Sequence, residues 1–161
     1  MVYTKTHLED FIESIYTNIG IYHPRQLTPE EIAARLGLVL DYVDGTSKCV
    51  ELGQFSLIML NQNLSSAAQW QEFAHELCHL LRHAGNQHNL PPFFLKMQEW
   101  QAKSFALHFC IPTFLLEKLD LTDNKKSAIG IIAQTFGVEY DFAEERLEQW
   151  LLQCSIVYYG N

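Results

Sequence analysis

The pentapeptide HELCH at 75–79 lies inside an apolar-periodic run, AAQWQEFAHELCHLLRH. On a helix, residues four apart share a face, so His75 and His79 can offer imidazole nitrogens to one ion while Glu76 points beside it. This is the HExxH arrangement of a zinc peptidase. Two neutral imidazoles hold one Zn²⁺ ion without cancelling its charge, and the ion lowers the pKa of bound water to about 7. The adjacent carboxylate can then take that water's proton, which makes Glu76 the candidate catalytic base. The competing reading is a surface helix with two solvated histidines, because five-residue matches also arise by chance.

Zinc needs a third protein ligand, with a fourth place open for water. His83 continues the four-residue series, yet three such histidines span two helical turns, about 12 Å. Bonds of about 2 Å cannot bridge that distance, so His83 reads as a supporting or solvent-facing group. The longer metzincin pattern asks for Gly and His where this chain has Arg82 and Gly85. His88 could reach the ion only through a fortunate loop path, and His7, His23 and His108 have no spacing that favours them. Glu99 is the better candidate, since it falls on a second helix after a loop long enough to fold that helix back against the first. Together with His75 and His79 it would complete a His₂Glu set. Lys103, four residues on, could neutralise or orient Glu99; the plainer reading is a solvated pair worth ~0.5 kcal/mol or less. No residue declares itself as the oxyanion stabiliser, and His83, His88 and Tyr42 stay unassigned.

The elements around these residues are legible in outline. Leu8, Phe11, Ile12, Ile15 and Ile19 recur at helical spacing, with Gly20 as a stop. In LTPEEIAARLG, Thr28 can cap, Pro29 fits the first helical position, Glu31 completes a capping box and Gly37 ends the helix. From Leu38 to Leu60, LVLDYVDG, KCVEL and QFSLIML predict a small antiparallel sheet of about three strands. If the last of these lies at the sheet edge, its backbone could take up an extended peptide. Ser65 or Ser66 caps the HELCH helix, which turns Trp70, Phe73, Ala74, Leu77, Leu80 and Leu81 to the core and stops near Gly85. GNQHNLPPF is a loop, a helix follows from about Phe93 to Cys110, and Pro112 stops it. SAIGIIAQTFGV and DFAEERLEQWLLQC close the chain as a helical pair around Gly137. The expected fold is α+β, with residues 1–120 carrying the metal-ligand candidates and 121–161 a helical C-terminal subdomain that could equally be integral to a single domain.

Composition bounds the function. The 161 residues carry 48% hydrophobic and 12% aromatic side chains, which disfavours disorder. A formal charge of −8 opposes direct nucleic-acid binding, which asks for a basic face, and suits a protein that meets basic partners. No leader pattern or long apolar run is visible, so a cytoplasmic protein without membrane association is expected. Cys49, Cys78, Cys110 and Cys154 form no CxxC pair and read as buried small hydrophobes; a thiolate ligand at Cys78 would compete with the histidines.

FAHELCHLL, followed about twenty residues later by EWQAKSFALHFCIP, resembles the ImmA/IrrE metallopeptidases, whose second motif runs approximately E-x-x-A-x-x-F-A to a proline. The resemblance extends to SLIMLN at 56–61 and to IAQTFGVEYDFAEERL, covering roughly residues 25–150. It implies a gluzincin-like core with one zinc held by His75, His79 and Glu99 and with Glu76 as the catalytic carboxylate. It also implies a substrate class, the helix-turn-helix (XRE-type) repressors of phages, integrative elements or stress regulons. Lys103 replaces the Asn of many members and Gln101 a frequent Glu, which argues against position 101 as a ligand. Two functions follow: a peptidase that cleaves such a repressor, or a zinc-containing protein that sequesters it intact. Oligomeric state leaves no signature.

Overall fold

The computed structural model describes residues 3–82 and 91–159. Helix α1 spans His7–Asn18, and its start is fixed by Thr6, whose side chain accepts from the Glu9 N–H while Glu9 reaches back to the Thr6 N–H. That reciprocal cap satisfies two donors that a helix start leaves unpaired. Helix α2, Pro29–Leu36, begins at Thr28 and stops at Gly37, whose φ of 71° is a left-handed conformation that glycine adopts without Cβ strain. Only half of the expected capping box forms there: Thr28 accepts from Glu31 N–H, but the Glu31 carboxylate turns instead to Arg35 at 2.6 Å.

Strands β1 (Val39–Val43), β2 (Lys48–Leu52) and β3 (Phe55–Asn61) form one sheet in the order β1-β3-β2. The sheet is mixed, which corrects the antiparallel expectation: β3 runs antiparallel to β2 but parallel to β1. The reason lies in β3, an apolar strand in which Ile58 and Leu60 are fully buried. Such a strand belongs in the sheet centre, and placing it between the other two leaves β1 and β2 as edges. The expectation of a free edge along Phe55 to Leu60 is therefore wrong; the edge beside the HELCH helix is β2.

Helix α3, Ser66–Arg82, starts where the Ser65 hydroxyl accepts from Ala68 N–H, and the Gln69 side chain donates to Asn61 O, tying the helix to the end of β3. Its Trp70, Phe73, Ala74, Leu77 and Cys78 are buried, whereas Leu81, expected inside, is 42% exposed. The predicted end near Gly85 lies outside the described residues. Helix α4, Pro92–Cys110, packs along α3. Tyr16 of α1 stacks on Phe109 at 4.6 Å, Phe109 stacks on Phe105 at 5.2 Å, and Trp70 meets Phe109 at 5.9 Å. These rings join α1, α3 and α4; burying each contributes about 1.5–3 kcal/mol and fixes the spacing of the two helices that matter below.

A short helix α5, Thr113–Leu116, leads to α6, Lys125–Phe136, capped by Asn124, and α7, Tyr140–Tyr159. One hydrophobic cluster runs from Ile12 of α1 through α3 and α4 to Ile129, Phe136 and Leu147. No described helix is long and apolar enough to cross a membrane.

Candidate metal centre

Helical geometry sets His75 and His79 one turn apart on α3, and their Nε2 atoms lie 3.2 Å from each other. Glu99, carried by α4, closes the triangle: its Oε2 is 3.0 Å from His75 Nε2 and its Oε1 is 3.2 Å from His79 Nε2. One ligand atom from each of the three falls within 4.8 Å of the others. Ligands about 2.05 Å from a tetrahedral ion sit about 3.3 Å apart, so the donor set fits one zinc in spacing and in chemistry. His79 is buried, His75 half-buried and Glu99 open to solvent, a gradient that leaves the fourth side accessible.

Glu76 sits next to this triangle, half-buried against the edge strand. Burial pushes its carboxyl above the ordinary carboxylate range, and His75 together with the Cys49 thiol and backbone N–H partly opposes that shift. Cys49 in turn has its thiol pushed up to about 12 by burial and by the Glu76 carboxylate, so it stays a protonated donor at neutral pH. On the same side, a cavity of about 300 Å³ is lined by His75, Glu76, residues of the turn between β1 and β2, and α7.

A helix carrying two histidines and a carboxylate, with a second helix supplying Glu99, can be compared with known proteins. Residues 38–148 match the IrrE N-terminal-like domain, peptidase M78. The phage-like element PBSX protein XkdA of Bacillus subtilis strain 168 is 37% identical over 145 residues, covering 90% of this chain and 73% of that protein. YqaB of the same strain is 38% identical over 147 residues, covering 91% of this chain and 86% of that protein. This chain belongs to the peptidase M78 family. A solved Mycobacterium tuberculosis transcriptional regulator shares the fold, with a TM-score of 0.62 at 18% identity over 88% of this chain; the chain spans 56% of that regulator's length.

Within this M78 domain the structure brings together His75, His79, Glu99 and Glu76. It leaves other sequence candidates elsewhere. Lys103 pairs with Glu145 of α7 at 3.5 Å and makes no ion pair with Glu99, so the expected neutralisation of Glu99 is replaced by a link to α7. His108 is buried, with its Nδ1 2.8 Å from Ser104 O, and burial together with nearby Arg146 holds its pKa below 6.5. The Tyr42 hydroxyl donates to Glu30. His83 and His88 lie outside the described residues. Cys78 is buried in the core and belongs to no ligand cluster among the described residues.

Sequence reasoning missed Cys49. It reads there as a small hydrophobe, and nothing in KCVEL announces a neighbour 27 positions away. The signal is tertiary: β2 becomes the edge that faces α3 only once β3 has taken the centre.

Proposed function

We propose that this M78 domain is a zinc-dependent endopeptidase that cleaves a helix-turn-helix repressor and so acts as an anti-repressor for a phage or integrative element. The observation that carries the reading is the convergence of His75 Nε2, His79 Nε2 and a Glu99 carboxylate oxygen, with Glu76 beside them. Kinship with a protein of a phage-like element and a fold shared with a transcriptional regulator support a role against a regulator of such an element.

His75, His79 and Glu99 would hold the zinc. When bound, that ion supplies Lewis acidity, polarising a scissile carbonyl and lowering the pKa of water to about 7. Glu76 accepts the proton of the attacking water and delivers it to the leaving amine. Cys49, through its thiol and backbone N–H, holds the Glu76 carboxylate in place from the sheet side. The β2 edge beside α3 is where an extended substrate segment would add as a further strand, a role first expected of β3. The charge of −8 favours encounter with a basic DNA-binding protein rather than with DNA itself.

The same acidic surface also suits capture of a repressor without cleavage. Zinc content and intact product masses separate the two readings. Wild type and Glu76→Gln are each assayed for zinc per chain and incubated with the helix-turn-helix repressor encoded nearest to the gene. One zinc in both, with two repressor fragments from wild type alone, is the expected result. An unbroken, bound repressor would establish sequestration, and absence of zinc from both would remove the metal site.

A further inference from the structure

The cavity beside the metal centre has an uneven distribution of charge. Its apolar wall is Ala106 of α4 and Phe142 of α7, and most of the polar side chains around it are already engaged. Gln71 donates to Glu139 Oε2 at 3.0 Å and accepts from Glu139 N–H at 2.8 Å. The Ser47 hydroxyl accepts from Asn61 N–H at 2.9 Å, and Lys103 is paired with Glu145 while remaining 66% exposed. Glu72 is different. It lines the cavity, and its carboxylate has no hydrogen-bond or ion-pair partner among the described residues. It stands one helical turn before Glu76 and three residues before His75, on the face of α3 that carries the chemistry.

We infer that this cavity receives the substrate side chain flanking the scissile bond and that Glu72 selects a basic one, lysine or arginine. The inference rests on the peptidase reading and adds to it a determinant of cleavage specificity. About 300 Å³ is the lower end of small-molecule sites and holds one long side chain rather than a folded element. A lysine or arginine has the matching chemistry: its methylene stem packs on Phe142 and Ala106, and its cation reaches the free carboxylate. An acidic side chain would meet Glu72 and Glu76 together, while the lysine on the wall is already paired with Glu145.

The test uses zinc-loaded full-length protein and a degenerate peptide mixture, with products read by mass spectrometry. Matched peptides then carry Lys, Gln or Glu at the flanking position. Wild type should cleave the Lys peptide about tenfold better than the Glu peptide, the scale of one partly desolvated charge pair. Glu72→Gln should level the series and Glu72→Lys should invert it. Cleavage with the same preference in wild type and Glu72→Lys, or without preference for a basic residue, overturns the inference and leaves the peptidase intact. If wild type cleaves neither these peptides nor the repressor, the peptidase reading fails, and fluorescence anisotropy of the same peptides bound to the zinc-loaded protein decides the pocket. A Lys preference abolished by Glu72→Lys would sustain it, and equal binding of all three would reject it.

Discussion

Glu9 of α1 and Arg146 of α7, 137 positions apart, are paired at 3.4 Å with side chains at most 1% exposed. Thr113 completes the group, accepting from Arg146 Nη2 at 2.7 Å and donating to Glu9, and Arg146 Nε donates to Ile111 O. Removing one charge strands the other in the core, where Arg146 Nη1 already has no partner among the described residues. Glu9→Leu and Arg146→Met should each destabilise by about 3–5 kcal/mol. The double variant Glu9→Leu/Arg146→Met should cost much less than the sum. Equilibrium urea unfolding of the four proteins gives the coupling directly.

Acid should act in two steps. Burial, then Arg146, lowers the pKa of His108, so the unfolded chain binds that proton more readily and stability falls as pH drops below 6.5. Burial tends to raise Glu9, but hydrogen bonds from Thr113, Thr6 and Tyr3 outweigh it and hold its pKa below 4.5. The stability that Glu9 contributes is present above 4.5 and is lost as pH falls through its depressed folded value. Melting temperatures should be level near pH 7, decline below 6.5 and decline again in the carboxylate range. His108→Gln should remove the upper step alone.

Metal binding should depend on both helices. His79→Ala and Glu99→Ala should each lose the stoichiometric zinc of wild type, whereas Lys103→Ala should keep it, because Lys103 is held by Glu145. Chelation of wild type should lower its unfolding free energy by about 2.7 kcal/mol relative to protein in zinc at a hundred times Kd. Metal analysis and thermal melts check both statements; full zinc in Glu99→Ala would remove α4 from the site.

Glu76→Gln should retain zinc and lose about a hundred- to ten-thousandfold in kcat, the usual contribution of a positioned general base. Cys49→Ala should lower kcat several-fold with little change in KM, and Cys49→Ser, which restores a hydroxyl donor, should recover most of it. Equal effects of Ala and Ser would mean that the thiol only fills space. Steady-state rates on a cleaved repressor or peptide give the comparison.

Local signals carried much of this protein. The His75–His79 spacing, the Thr28 and Ser65 helix starts and the left-handed glycines at 37 and 137 depend on residues within a few positions, so their physics is written in short stretches. Glu99 was legible for a related reason, since it falls on a second helix after a loop long enough to fold that helix back against the first. The family motifs at 73–81 and 99–112 fall within the matched span.

Sequence alone therefore determined the chemistry available to the site: two imidazoles and two carboxylates on two helices. Tertiary structure alone decided which strand faces that chemistry. Strand order depends on which of three short apolar runs is the most deeply buried, a competition settled by packing against α3 rather than by any local pattern. The same packing set Cys49 against Glu76, gave Lys103 to Glu145, put Glu72 in the cavity wall and buried Arg146 with Glu9. A side chain's partner across 27 or 137 positions is fixed by the shape of the whole core, and no spacing in the chain encodes it.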